Sequence, residues 1–170
     1  MTTQRDRDAA GRARNARPRD ELGRPLSRST AQDMPRIPDD LVVSPAEAAE
    51  FGGRLLAEGS PFHAHEVFEA AWKSISGPER ELWRGLAQIA VGLTHARRGN
   101  ARGAVALLRR GADRVAGFAT GEVDAALLDP HWVAAQAANL ARRIERDGLT
   151  GVAAADLRLK LVPDQGTRLP

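Results

Sequence analysis

The chain has 170 residues, 42% hydrophobic and 4% aromatic, with a formal net charge of +3 at pH 7. That length fits one domain with a core of ordinary size. There is no cysteine, which excludes disulfides, thiolate catalysis and zinc–thiolate sites. No apolar run reaches membrane-spanning length and no secretory h-region is present, so a cytoplasmic protein without membrane contact is expected.

The positive charge is not spread over the chain. Residues 1–36 hold nine Arg against five acidic residues, a net of +4, and residues 37–170 hold sixteen basic against seventeen acidic residues, a net of −1. The basic pI therefore does not predict a basic face on the fold. Residues 1–40 are rich in Arg, Asp, Pro and Ser and have no apolar periodicity. Low hydrophobicity with dense charge predicts a disordered, solvated tail. Its Arg residues suggest nucleic acid only weakly. Met34, in Met-Pro-Arg-Ile-Pro, is a candidate true start.

Helix signals then follow in order. Ser44 is an N-cap, Pro45 occupies the first helical position and Glu47 completes a capping box, so a helix runs to about Ala57 and Gly59 ends it. Ser60-Pro61 opens a second helix over about 61–75, stopped by Gly77-Pro78. A third covers about 78–97 and stops at Gly99. Asn100 caps a fourth over about 101–118, and a short turn or helix is expected over 122–128. Asp129-Pro130 begins a last helix over about 130–146, ended by Gly148. Short connections make consecutive helices antiparallel neighbours. Only Leu157–Val162 alternates like a strand. It is expected as an extended tail, with the bundle as the surface it would lie on. The fold class is thus all-α, a compact bundle of about five helices. The expected divisions are a tail at 1–40, a helical domain at 41–148 and an extended C-terminal tail at 149–170.

The second helix carries the chemistry. On a helical wheel His65, Glu69, Phe62, Trp72 and Phe68 share an arc of about 120°, with Glu66 just outside it. A face that should enter the core thus holds an imidazole and a carboxylate. The third helix is apolar nearly all round, and its few polar side chains include Gln88 and His95, seven residues apart on one stripe. Gly85 and Gly92 sit beside that stripe and invite close approach by the second helix. Unpaired buried polar groups are costly, roughly 1–3 kcal/mol each. His65, Glu69, Gln88 and His95 are therefore expected to meet in one cluster across the two helices.

The run Phe62-His-Ala-His65-Glu66-Val-Phe-Glu69-Ala-Ala-Trp72 resembles the signature helix of the DUF309 family. Trp83-Arg-Gly-Leu-Ala-Gln88-Ile-Ala-Val-Gly-Leu-Thr-His95, with Arg98-Gly99-Asn100 and Gly103-Ala104, is similar to that family's next two helices. The resemblance covers about 58–119. It implies a small all-helical domain without an assigned reaction, and a polar signature at His65, Glu66, Glu69, Trp72, Gln88 and His95.

Three functional readings stand beside a purely structural network. A metal-dependent hydrolase would use His65 and Glu69, spaced i, i+4, as ligands, His95 as a third ligand and Glu66 as general base. In that reading alone a divalent metal is the cofactor; otherwise none is expected. A pocket between helices would be lined by Trp72, the His pair and the carboxylates and would bind a small molecule or an anion. A protein partner or homodimer would use a helix face, with Trp83 as a candidate contact. His63 and His131 are expected at the surface or at helix ends. A binding or interaction role is preferred over the hydrolase.

Overall fold

The computed structural model describes residues 20, 22–24, 38, 41–118 and 124–164. Expectations that rest on the remainder of 1–40, on 119–123 and on 165–170 lie outside the described residues. These include the disorder of most of the tail and the alternative start at Met34.

Helix α1 spans Pro45–Ala57. Its capping box forms as expected: the Glu47 amide donates to Ser44 Oγ at 3.3 Å, and the Ser44 amide donates to Glu47 Oε2 at 2.8 Å. Two orphan donors of the first turn are satisfied locally. Helix α2 spans Pro61–Ser74 and α3 spans Glu79–Arg97. Between them Ile75 is already extended, and Gly77 adopts φ +83°, a left-handed conformation that glycine reaches without strain. Helix α4 spans Ala101–Ala116, and Asn100 caps it by accepting from the Gly103 amide at 2.9 Å. Helix α5 spans Pro130–Asp147, with Asp129 Oδ1 accepting from the Trp132 amide at 3.0 Å. Of the turn or helix expected over 122–128, the described residues hold a turn at 125–127. No described helix is long and apolar enough to cross a membrane, and no strand occurs among the described residues.

Each helix packs chiefly on its neighbours in sequence: α1 on α2, α2 on α3, α3 on α4 and α4 on α5. Helix α3 is central. Its Leu82, Trp83, Leu86, Ile89, Ala90 and Leu93 are all essentially inaccessible. Trp83 stacks at a tilt on Phe68 of α2, ring centroids 6.1 Å apart. Its burial at 0% removes it from any external surface, so of the two contacts open to Trp83, another chain or merely another helix, the second is the one observed.

The glycines of α3 serve a different neighbour from the one expected. A Cβ at Gly85 would meet Val115 Cγ2 at 2.7 Å and the Gly111 carbonyl at 3.1 Å. One at Gly92 would meet Leu108 Cγ at 3.0 Å and the Ala104 carbonyl at 3.3 Å. All four contacts belong to α4. Gly111 answers from that side, because a Cβ there would meet the Gly85 carbonyl at 2.8 Å. The close crossing is therefore α3 on α4. A matched glycine lets two backbones touch, whereas the facing side of α2 carries bulky Phe68 and Trp72.

The C-terminal segment is also part of the fold. After α5 come two short 3-10 turns, Leu149–Gly151 and Ala154–Leu157. Leu159 and Leu161 then enter the core, at 2% and 3% exposure. The Asp129 amide donates to the Leu161 carbonyl at 2.8 Å, and Gln136 Nε2 donates to the Lys160 carbonyl at 2.8 Å. The Gln136 amide thus supplies hydrogen bonding that a neighbouring strand would otherwise provide. Leu161 also lies against Gly53 of α1, so the segment spans from α5 to α1. Alternation in 157–162 marked a half-buried extended piece without a sheet to join.

Candidate binding groove

With α2 on one side of α3 and α4 on the other, one stripe of α3 stays open. Arg80, Arg84, Gln88, Val91, His95 and Arg98 follow at three- and four-residue steps, and each is half-buried or exposed. Most of the rest of the helix is buried. The surface along this stripe, bordered by α2 and α4, is here called the groove and the stripe its floor.

Helix α2 forms one wall. Arg80 lies over the Trp72 ring at 4.9 Å from guanidinium carbon to centroid, and Arg84 at 5.7 Å. Both are cation–π distances. Arg80 Nε also donates to the Trp72 carbonyl at 3.1 Å. Phe62, His65, Glu69 and Trp72 form a half-buried stripe at steps of three and four residues. Glu69 Oε1 accepts from Lys73 Nζ at 2.8 Å, and Glu69 Oε2 sits 3.4 Å from His65 Nε2. Burial pushes the His65 imidazole below its ordinary pKa; the Glu69 carboxylate opposes this and Lys73 reinforces it. His65 is therefore neutral near pH 7. Its Nδ1 and the Trp72 Nε1 are buried and have no hydrogen-bond partner among the described residues.

Helix α4 forms the other wall. Arg114 Nε donates to Gln88 Oε1 at 3.1 Å, and the same guanidinium pairs with Glu81. Arg84 Nη1 pairs with the other Glu81 oxygen at 3.3 Å. At the far end Asn100 Nδ2 lies 2.8 Å from His95 Nδ1. The Gly103 amide fixes Asn100 Oδ1 as an acceptor, so Nδ2 is the donor and His95 Nδ1 accepts. Neutral His95 then carries its proton on Nε2.

The six signature positions thus divide. His65, Glu69 and Trp72 lie on the α2 wall, Gln88 and His95 on the floor, and Glu66 is half-buried beside the wall. The structure does not join them into one buried hydrogen-bonded cluster. Gln88 bonds to Arg114 and His95 to Asn100, and neither bonds to His65 or Glu69. The reason is the α3–α4 crossing: it turns the Gln88/His95 stripe toward α4. The alternative metal reading of His65, Glu69 and His95 finds no support here: no group of three His, Cys, Asp or Glu able to hold a metal occurs among the described residues. His63 lies in the first turn of α2, the helix-end alternative, but it is buried there, 8% exposed, and meets the Phe62 ring edge-on at 5.6 Å. His131 is exposed, as expected.

Sequence reasoning missed Arg80, Arg84, Arg114 and Asn100. The visible signal was Arg84, one of few polar side chains on an apolar helix and four residues before Gln88. Arg114 carried no signal, because its role depends on how α4 crosses α3.

Residues 50–107 match the family model described as "Domain of unknown function (DUF309)". The match runs from within α1 to within α4 and includes all six signature positions, so the DUF309 resemblance is shown over these residues. No curated protein and no solved structure matches the chain.

Proposed function

We propose that this helical domain is a binding module whose α2–α3–α4 groove takes the carboxylate or phosphate group of a ligand. One observation carries the reading: Glu69 and Glu81, the two acids placed on the groove's walls and floor edge, are already paired, while donors are left over. Glu69 is held by Lys73, and Glu81 by Arg84 and Arg114. Gln88 spends its oxygen on Arg114, leaving its amide N–H groups, and His95 offers Nε2–H. Arg80, steadied on Trp72, adds fixed positive charge, and Arg84, shared between Trp72 and Glu81, adds a second guanidinium. Planar guanidinium groups beside neutral donors suit an acceptor-rich anion.

The test is a two-dimensional NMR titration of the full chain with inorganic phosphate and, separately, citrate. The Gln88 side-chain amide and the Trp72 indole should shift and saturate with one or both anions. Arg84→Gln should weaken binding several-fold with its fold intact by circular dichroism. A phosphate response without a citrate response would identify a phosphoryl ligand, and the converse a carboxylate ligand. Flat shifts with both anions up to tens of millimolar would refute the reading.

A further inference from the structure

The tail contributes one ordered piece to the fold. Asp20 Oδ1 accepts from the Leu22 amide at 2.9 Å and from the Arg24 amide at 2.7 Å. The Gly23 amide donates to the Asp20 carbonyl at 2.7 Å, and the Asp20 amide to the Arg24 carbonyl at 3.0 Å. Asp20 and residues 22–24 therefore close a turn organised by one carboxylate, and Gly23 takes φ +70° within it. A free tail has no reason to settle into a single closed turn unless contacts outside it offset the ordering entropy.

Those contacts are present. Gly23 is buried, and a Cβ on it would overlap the Phe62 ring. Leu22 is half-buried, and its carbonyl accepts from Arg98 Nη2. Phe62 begins the α2 wall of the groove and Arg98 ends the α3 floor. The turn thus bridges wall and floor at the His95 end, using a backbone carbonyl as the acceptor for a groove arginine.

We infer that the turn closed by Asp20 on residues 22–24 is an intramolecular strap that closes one end of the groove and competes with its anionic ligand. This rests on the groove being the binding face. The Leu22 carbonyl occupies Arg98 in the way a ligand oxygen would, and Gly23 allows the backbone to lie flat on Phe62. Displacing the strap exposes Phe62 and frees Arg98 without altering the helices.

Gly23→Val should release the strap, because valine is strained at that φ and its side chain overlaps Phe62. Asp20→Ala should do the same by removing the acceptor that closes the turn. Both changes lie outside the helical core. Hydrogen exchange at the Leu22, Gly23 and Arg24 amides reports docking in the parent; in the variants, the amides of residues 22–24 should exchange faster. Inorganic phosphate, titrated into parent and variants, reports competition. Affinity should rise roughly three- to tenfold on release, since the parent's competent fraction is reduced by the docked strap. Unprotected amides in the parent would overturn the strap itself. Faster exchange with unchanged phosphate affinity would overturn the competition while leaving the groove reading intact. No phosphate or citrate binding by parent or variants would instead sink the groove reading, and the competition with it.

Discussion

Replacing Gly111 by alanine probes the contact on which the groove's geometry depends. The added methyl would meet Ile89 Cγ1 at 2.6 Å, the Gly85 carbonyl at 2.8 Å and the Ile89 backbone nitrogen at 3.0 Å. The first neighbour can rotate, but the other two are backbone, so α3 and α4 must separate. Overpacking a core costs about 1–3 kcal/mol, and backbone displacement puts this site near about 3. Alanine regains about 1 kcal/mol through helix propensity. The net loss is about 2 kcal/mol, which for a domain of this size lowers Tm by roughly 6–10 °C. The control is Gly53→Ala, whose methyl would meet only the flexible end of Leu161, at 3.0 Å from Cδ1. That variant should melt within about 2 °C of the parent, because the propensity gain offsets a small side-chain shift. Differential scanning calorimetry of both variants decides the matter. A Gly111→Ala protein as stable as the parent would falsify the claim that this crossing is backbone-tight. So would an equal loss at Gly53.

Two other perturbations test separate parts of the structure. The His65 pKa is lowered in the fold, chiefly by burial, so the folded state binds its proton less readily than the unfolded chain does. Its stability contribution is complete above the unfolded value of about 6.5 and is lost as pH falls toward the lowered folded value. His65→Phe should therefore gain Tm on the parent as pH drops from about 7 to about 5, and a constant gap across that range would contradict the burial argument. Leu161→Ala removes a side chain that is 3% exposed and lies between α1 and α5. It should cost about 2 kcal/mol, at the low end for a buried leucine because the site is at the rim. A loss under about 0.5 kcal/mol in urea denaturation would return the C-terminal segment to the status of a loose tail.

Local chemistry explains why the helices were legible. Ser44 with Glu47, Asn100 and Asp129 each satisfy amides within three residues of themselves. Gly59, Gly77, Gly99 and Gly148 each take a positive φ at a helix end. Such signals act through bonds between residues adjacent in sequence, so they can be read without knowing the partner helix. The Asp20 turn was equally local, but it lay within a charge-dense stretch whose composition argued for no structure at all. Its docking depends on Phe62 and Arg98, distant in sequence.

The candidate site was legible as a set of residues and not as an arrangement. The sequence alone determined that α3 would be central, that Gln88 and His95 would share a stripe, and that Gly85 and Gly92 would admit a close neighbour. Each follows from helical periodicity, which fixes what shares a face. Only the tertiary structure decided that the neighbour is α4, through Gly111. With it came the pairing of Gln88 with Arg114 and His95 with Asn100, and the separation of all four from His65 and Glu69. Periodicity sets the azimuth of a side chain on its own helix. Which other helix occupies that azimuth depends on matching shapes across the whole core, and a glycine marks where backbones can touch without naming the second backbone.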